Sequence, residues 1–234
     1  MMVPLVFIPG LACTELLFEP VVGEIGDRVT MQIVDHRGPD TMEAIVDQIL
    51  ANAPSYFALA GLSMGGYLAM ELALRAPDRI ERLALLNTKI RPDTPDERAN
   101  REALIELAEA EGMEAVADRL MPRLLHPDRL ADPDLVDRVR RMAVDTGADV
   151  FVAQERALLT REDISGRAGE IRMPTMVLVG DADQLTPPEM GQEIDAALPN
   201  SNLVTIEACG HLSSLERPTE VAQALATWLG LARI

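Results

Sequence analysis

The sequence predicts an α/β protein built on a parallel sheet of about six strands, and three observations lead to this fold class. Six short apolar runs alternate with stretches of helical spacing along the 234 residues. Each run is nearly continuous in apolar residues, as strands are when helices cover both faces of a sheet. Prolines and glycines bound the runs. A chain with 48% hydrophobic and 25% charged residues also has a globular composition, which excludes disordered and fibrous architectures.

The first four strands are predicted from apolar runs that end at turn residues. Thr14 is expected to cap a first helix, and apolar residues recur at helical spacing over residues 41–50. A further helix follows the third strand and ends before Pro77, because proline interrupts helical hydrogen bonding. The four strands are expected at residues 3–8, 29–35, 55–61 and 80–86.

The second half of the chain interrupts this alternation. Residues 88–169 are charged and amphipathic, which predicts several helices and no strand. Strands return at residues 175–180 and 202–206, each followed by a helix. We therefore expect one domain over residues 1–234, with 88–169 as a helical cap inserted after the fourth strand. The prolines expected to separate the inserted helices are Pro92, Pro95, Pro122, Pro127 and Pro133.

Charge, cysteine content and hydropathy exclude several classes of protein. Acidic residues outnumber basic residues 38 to 21, and a net charge of −17 disfavours nucleic acid as a partner. Cys13 and Cys209 are too few for a disulfide framework and are read as reduced. The apolar start lacks the basic region of a signal peptide, and the uncharged residues 48–70 contain Asn52, Pro54 and three glycines. We expect a cytoplasmic protein without membrane insertion.

Gly61, Ser63 and Gly65 form the pattern G-x-S-x-G between a predicted strand and a predicted helix. In that position the pattern is typical of a nucleophile elbow, a sharp turn that exposes a serine hydroxyl. Side chains larger than hydrogen at the flanking positions would collide with the neighbouring strand and helix. The alternative is an ordinary turn of small residues. Ser63 is therefore the candidate nucleophile.

A serine nucleophile needs a histidine base, and the sequence has three histidines. His211 follows the last predicted strand, and Gly210 before it gives the loop freedom to direct the ring toward the serine. His36 and His126 are expected to be ordinary polar surface or core residues. His211 is the candidate base.

The base in turn needs an acid that orients its ring. Asp181 and Asp183 both follow the fifth predicted strand, and we select Asp183 because it lies farther past the strand end. Asn87 holds the other conceivable position, after the fourth strand, but a neutral amide stabilises an imidazolium less well than a carboxylate does. The order Ser63, Asp183, His211 matches one known order of such triads.

An acyl-transfer site also needs N–H donors for the oxyanion. The amide of Met64, after the serine, and the amide of Leu11, after the first strand, are the candidates. Cys13 lies near this loop and is expected to be a small buried hydrophobic residue.

Together these segments resemble the α/β-hydrolase superfamily, in particular its compact bacterial esterase-like members, over essentially the whole chain. The resemblance implies the roles given above for Ser63, Asp183 and His211 and for the two amides, a cap at residues 88–169, and six strands in place of eight. Many members have His-Gly where this chain has Pro9-Gly10, which implies one hydrogen bond fewer near the oxyanion loop. The segments concerned are Ile8-Pro9-Gly10-Leu11, Gly61-Leu62-Ser63-Met64-Gly65-Gly66, Gly180-Asp181-Ala182-Asp183, and Gly210-His211 with Glu216-Arg217-Pro218.

These observations predict a serine hydrolase that cleaves small-molecule carboxylic esters through an acyl-enzyme on Ser63. Superfamily members that act as haloalkane dehalogenases or epoxide hydrolases use aspartate at this position. The sequence contains no HExxH motif or Cys/His cluster and no phosphate loop with a lysine, so no metal or other cofactor is expected. Aromatic residues amount to 3%, which disfavours a sugar substrate and favours a small to medium acyl or alkyl group.

Several alternatives use the same triad: a thioesterase, an enol-lactonase, a carbon–carbon hydrolase, and a cofactor-free acyltransferase or perhydrolase. A receptor-like ligand-binding module with slow turnover is an alternative of a different class. Arginines in the inserted segment alternate with acids, which favours a solvated face over a site for a substrate carboxylate. These arginines are Arg98, Arg101, Arg138, Arg140, Arg141, Arg156 and Arg161.

Overall fold

The computed structural model describes residues 3–232 and contains one six-stranded sheet. All of its strand pairs are parallel, in the order β2-β1-β3-β4-β5-β6. The predicted fold class is confirmed, and the strand boundaries differ from the predicted ones by at most two residues. The strands are β1 (Leu5–Ile8), β2 (Met31–Ile33), β3 (Phe57–Leu62), β4 (Ile80–Leu86), β5 (Thr175–Gly180) and β6 (Ser201–Ile206).

Helices cover both faces of the sheet. Thr14 caps a 3₁₀ turn at Glu15–Leu17, and the first α-helix begins only at Glu19. Thr41 caps α2 by accepting a hydrogen bond from the amide of Ala44. The α-helices of residues 3–232 are α1 (Glu19–Ile25), α2 (Met42–Asn52), α3 (Met64–Arg75), α4 (Pro95–Glu111), α5 (Met113–Leu124), α6 (Pro133–Thr146), α7 (Ala148–Leu159), α8 (Pro188–Ala197), α9 (Ser213–Glu216) and α10 (Pro218–Leu229).

The apolar core has two layers, one on each face of the sheet. Along β1, Val6 and Ile8 pack in the layer that contains α2, α3 and α8. Leu5 and Phe7 pack in the opposite layer, with α1 and α10. Successive side chains of a strand point to opposite faces, so a strand buried on both sides must be apolar at every position. This is why the strands could be read from continuous apolar runs.

Four helices, α4 to α7, lie between β4 and β5, and we call residues 88–169 the helical insertion. Within it α4 packs on α7 and α5 packs on α6. The prediction that Pro122 separates two helices is wrong, because Pro122 lies inside α5. The carbonyl of residue 118 therefore lacks its helical hydrogen bond, and α5 continues for two more residues, to Leu124.

No helix of residues 3–232 combines the length and the apolar character that crossing a bilayer requires.

Candidate active site

Ser63 lies in the turn between β3 and α3, with a positive φ of 56°. That backbone conformation is strained for a residue other than glycine and is maintained by its neighbours. The Ser63 amide donates to the carbonyl of Leu86 in β4 at 3.0 Å. The Ser63 carbonyl accepts from Thr88 Oγ1 at 2.9 Å. The turn is thus fixed to the end of the neighbouring strand.

The glycines on either side of Ser63 make this turn possible. A Cβ atom on Gly61 would overlap the carbonyl of Gly65, and a Cβ atom on Gly65 would overlap the carbonyl of Ile8. A Cβ atom on Gly66 would lie 2.6 Å from Thr88. Close backbone approach therefore explains all three glycines, as the elbow pattern predicts.

Asp183 lies in the loop after β5 and is the partner of His211. Its Oδ2 is 2.8 Å from Nδ1 of His211 and also accepts from Asn87 Nδ2 at 2.9 Å and Thr186 Oγ1 at 2.7 Å. Its Oδ1 accepts the amides of Leu185 and Thr186 at 2.8 and 2.9 Å. Five hydrogen bonds therefore fix the orientation of this buried carboxylate.

The same contacts keep Asp183 ionised. Burial alone would raise the pKa of Asp183, but the nearby His211 ring and the donors at both carboxylate oxygens outweigh it and lower this pKa to about 2. An ionised carboxylate can only accept a hydrogen bond, so Nδ1 of His211 carries a proton and Nε2 is free to accept one.

Asp181, the other carboxylate of this loop, is exposed and accepts the amide of Cys209 at 3.1 Å. The structure therefore pairs Asp183, and not Asp181, with the imidazole. Asn87, which the sequence placed at the other conceivable acid position, contributes a hydrogen bond to Asp183.

His211 is buried, and the loop that carries it is bound to the end of α5. The amides of His211 and Leu212 both donate to the carbonyl of Leu124, at 2.9 and 3.2 Å. A Cβ atom on Gly210 would lie 2.6 Å from the amide nitrogen of His126. The loop therefore needs a glycine for close contact with the insertion, a reason that the sequence alone did not indicate.

Glu216 connects the same two segments through its side chain. Its Oε1 accepts the amide of Gly210 at 3.0 Å, and its Oε2 accepts the amide of His126 at 2.7 Å. The carboxylate is buried, and burial raises the pKa of Glu216. Its role was missed in the sequence because His126 lies 90 residues away in the chain.

The two candidate oxyanion donors line one cavity together with Ser63 and His211. Within residues 3–232 the amides of Leu11 and Met64 donate no hydrogen bond to another backbone group. They remain available to an oxygen atom of a ligand.

The oxyanion loop has a partner that the sequence did not reveal. The amide of Ala12 donates to Oε1 of Gln154, a residue of α7, at 3.0 Å. Gln154 also lies 3.3 Å from the ring of His36, which is buried, and burial lowers the pKa of His36 to about 4. A hydrogen bond from the insertion thus supports the oxyanion loop. This is the loop in which the sequence Pro9-Gly10 implied one hydrogen bond fewer than in many members of the superfamily.

The cavity has a volume of about 350 Å³ and lies between the strand ends and the insertion. Apolar side chains of α4, α5 and α6 form much of its lining: Leu104, Val116, Ala117, Leu120, Val139, Met142 and Ala143. Cys13 also lines it, and burial raises the pKa of this thiol to about 12.

One end of the cavity contains charged residues that are already paired. Lys89 contacts Asp93 at 3.0 Å and Glu97 at 2.5 Å. Arg101 contacts Asp93 at 2.5 Å and Glu155 at 2.7 Å. We call these five residues, with Arg161 at 3.2 Å from Asp93, the ion cluster. Of the seven arginines considered in the sequence, Arg101 lines the cavity, and its guanidinium is held by two carboxylates.

Among residues 3–232, no cluster of three or more His, Cys, Asp or Glu side chains could hold a metal ion. Both cysteines are free and buried.

Comparisons with known proteins identify the family of this chain. Residues 4–218 match the family model described as alpha/beta hydrolase fold. The chain belongs to the α/β-hydrolase fold family. The prediction made from the four sequence segments is therefore confirmed.

Several members of the α/β-hydrolase fold family are similar over nearly the whole chain. A pimeloyl-acyl-carrier-protein methyl ester esterase of Chromobacterium violaceum is 25% identical, over 91% of this chain and 89% of its own. The structure of an esterase from Thermogutta terrifontis has a TM-score of 0.88 at 28% identity, covering 97% of this chain and 89% of its own. The enol-lactonase from Burkholderia xenovorans has a TM-score of 0.90 at 26% identity, covering 98% and 92%. These proteins are hydrolases of ester bonds by their names.

Proposed function

We propose that the protein is a serine hydrolase that cleaves carboxylic esters of small to medium acyl or alkyl groups. The observation that carries the proposal is that Ser63, His211 and the backbone amides of Leu11 and Met64 line one cavity, and that Asp183 is hydrogen-bonded to His211. The family and the names of similar proteins support ester hydrolysis as the class of reaction.

Each of these residues has a separate role in the first half of the reaction. Nε2 of His211 removes the proton from Ser63 Oγ as this oxygen attacks the ester carbonyl carbon. The carbonyl oxygen becomes an oxyanion that accepts from the amides of Leu11 and Met64. His211 then gives its proton to the leaving alkoxy oxygen, so the C–O bond breaks and the alcohol departs. Asp183 holds the charged ring throughout.

The second half returns Ser63 to its initial state. A water molecule gives a proton to Nε2 of His211 and attacks the acyl carbon of the acyl-enzyme. The tetrahedral intermediate collapses, Ser63 Oγ takes back the proton from His211, and the carboxylic acid leaves. The atoms and protons of this reaction balance without a cofactor or a metal ion.

We further infer that the helical insertion acts as a cap and sets the substrate size. Its apolar lining favours an aliphatic group, and about 350 Å³ is in the range of cavities for small ligands. The proposed partner is a small-molecule ester, since a net charge of −17 disfavours nucleic acid. A cytoplasmic location remains part of the proposal.

The decisive experiment combines ester hydrolysis with active-site labelling. Hydrolysis of p-nitrophenyl acetate, butyrate, hexanoate and dodecanoate is measured with the native protein and with Ser63→Ala. We expect activity to be highest at medium length and kcat to fall by about 10⁶ in Ser63→Ala. A fluorophosphonate should label the native protein and fail to label the variant.

Ser165→Ala, a change outside the cavity, serves as the control and should retain activity and labelling. Labelling that persists in Ser63→Ala would show that another residue is the nucleophile. A γ-lactone and a butyryl thioester assayed in parallel distinguish the lactonase and thioesterase alternatives.

A further inference from the structure

Among residues 3–232, three Lys or Arg side chains line the active-site cavity, and they differ in how they are neutralised. Lys89 and Arg101 belong to the ion cluster, where each contacts two carboxylates. Arg123, in the last turn of α5, has no carboxylate oxygen within 4.0 Å among residues 3–232. Its hydrogen bond is from Nη2 to the carbonyl of Gln184, at 3.3 Å.

Arg123 therefore keeps most of its N–H donors for a ligand. A guanidinium carries five N–H donors in a planar fork, and one of the five is used here. The side chain is exposed and lines the cavity, so the free donors are accessible to a ligand. The carboxylates that line the cavity, Asp96, Glu97 and Glu155, lie on α4 and α7 and not on α5.

Arg123 lies close to the loops that carry His211 and Asp183. The next residue, Leu124, accepts the amide of His211 at 2.9 Å, and Gln184 directly follows Asp183. Arg123 thus lies between the loops that carry the base and the acid. Because His211 gives its proton to the leaving oxygen, the alcohol part of the ester must lie on the His211 side.

We propose that Arg123 binds a carboxylate on the alcohol part of the substrate, so that esters of hydroxy acids are the preferred substrates. The proposal rests on the proposed function, since it assigns the substrate class of the same site. The guanidinium fork matches a carboxylate in two parallel hydrogen bonds. The attraction is local, because the net charge of −17 repels anions at long range.

The test compares two butyrate esters that differ in one charge. The alcohol part is 4-hydroxybenzoate in one and the neutral 4-hydroxybenzamide in the other. Arg123→Gln should lower the ratio of kcat/KM for the charged ester to that for the neutral ester by about fivefold, mainly through KM. Arg123→Lys should retain part of the preference, and added salt should weaken it only in the native protein and Arg123→Lys.

Arg119→Gln is the matched control, because Arg119 is exposed one turn earlier on α5 and does not line the cavity. It should leave the ratio unchanged. The product 4-hydroxybenzoate should also inhibit the native protein competitively and inhibit Arg123→Gln several times more weakly.

The possible failures are distinguishable. If the native protein hydrolyses both esters and Arg123→Gln leaves both the ratio and product inhibition unchanged, the assignment of Arg123 is wrong while the proposed function stands. An equal change in Arg119→Gln would also overturn the assignment, since a general charge effect would then explain it. If neither ester is hydrolysed and Ser63 is not labelled, the proposed function fails and this inference fails with it.

Discussion

The two walls of the cavity are built in different ways. One, the strand-end wall, consists of the loops that carry Ser63, Asp183 and His211, and backbone groups fix all three loops. The other, the insertion wall, is formed by α4 to α7, and the charged side chains of the ion cluster join residues of the insertion to one another. The difference implies that side-chain changes in the first wall affect the chemistry, whereas changes in the ion cluster affect stability.

The largest expected effect is on the strand-end wall. Asp183→Asn should lower kcat by about 10⁴, because an amide can present the wrong group to Nδ1 of His211 and no longer stabilises its charged form. The loop should persist, since its amide bonds with Leu185 and Thr186 need only one acceptor oxygen. The measurement is kcat on p-nitrophenyl butyrate, together with circular dichroism.

Asp181→Asn is the matched control for this change, because Asp181 is exposed and its contact is the amide of Cys209. We expect its kcat to stay within about threefold of the native value. An equal loss in Asp181→Asn alone would mean that Asp181, and not Asp183, orients the base.

The second effect is on the ion cluster and on stability. Burial alone would raise the pKa of Asp93, but Arg101, Arg161 and Lys89 outweigh it and lower this pKa to about 2. Asp93→Asn leaves three cations without their shared partner, so the free energy of unfolding at pH 7 should fall by about 3 kcal/mol. Urea denaturation measures this loss, and kcat on the acetate ester should change little.

The pH dependence of this effect has a definite sign. The pKa of an aspartate in the unfolded chain is about 3.9, so the folded state holds the lower pKa and the unfolded state takes up the proton first. The stability that Asp93 contributes is therefore present above about pH 4 and is lost as the pH falls toward 2. The native protein and Asp93→Asn should thus converge in stability at low pH. A constant difference from pH 7 to pH 2 would contradict this account.

The fold was accessible from sequence because its signals are local. β3 and β5 are buried on both faces, so each of their residues is apolar or small apart from Thr175. Pro122 was misread because a proline is unfavourable within a helix by local rules, whereas α5 is stabilised by its packing on α6, a tertiary contact that no local signal shows.

The site was accessible only in part. The order of Ser63, Asp183 and His211 and their position at strand ends could be predicted, because parallel strands bring these ends to one edge. Thr186 was within reach, since it lies three residues after Asp183 and forms a local turn with it. Gln154 and Glu216 were not, because their partners lie 142 and 90 residues away in the chain.

A third, smaller effect tests the point where the two walls meet. Glu216→Gln keeps one acceptor oxygen and replaces the other with an amide donor, so either Gly210 or His126 loses its partner. The loop of His211 should shift, and kcat on the butyrate ester should fall by about tenfold with KM nearly unchanged.

Glu71→Gln is the control for Glu216→Gln. Glu71, on α3, is another carboxylate whose pKa is raised by burial, and it does not line the cavity. Its kcat should remain native. Should Glu216→Gln lose stability but keep its kcat, the contact between the walls would be structural and would not position the base.

The smallest expected effect concerns Cys13, a second nucleophilic atom on the strand-end wall. Its thiol donates to the carbonyl of Leu11 at 3.3 Å, and burial raises its pKa to about 12. At pH 8 only about one thiol in 10⁴ is then a thiolate, the form that reacts with iodoacetamide. We expect iodoacetamide to leave ester hydrolysis unchanged over hours, while a fluorophosphonate that reacts with Ser63 abolishes it. Rapid inactivation by iodoacetamide, prevented in Cys13→Ala, would mean that this wall activates a nucleophile without a neighbouring base.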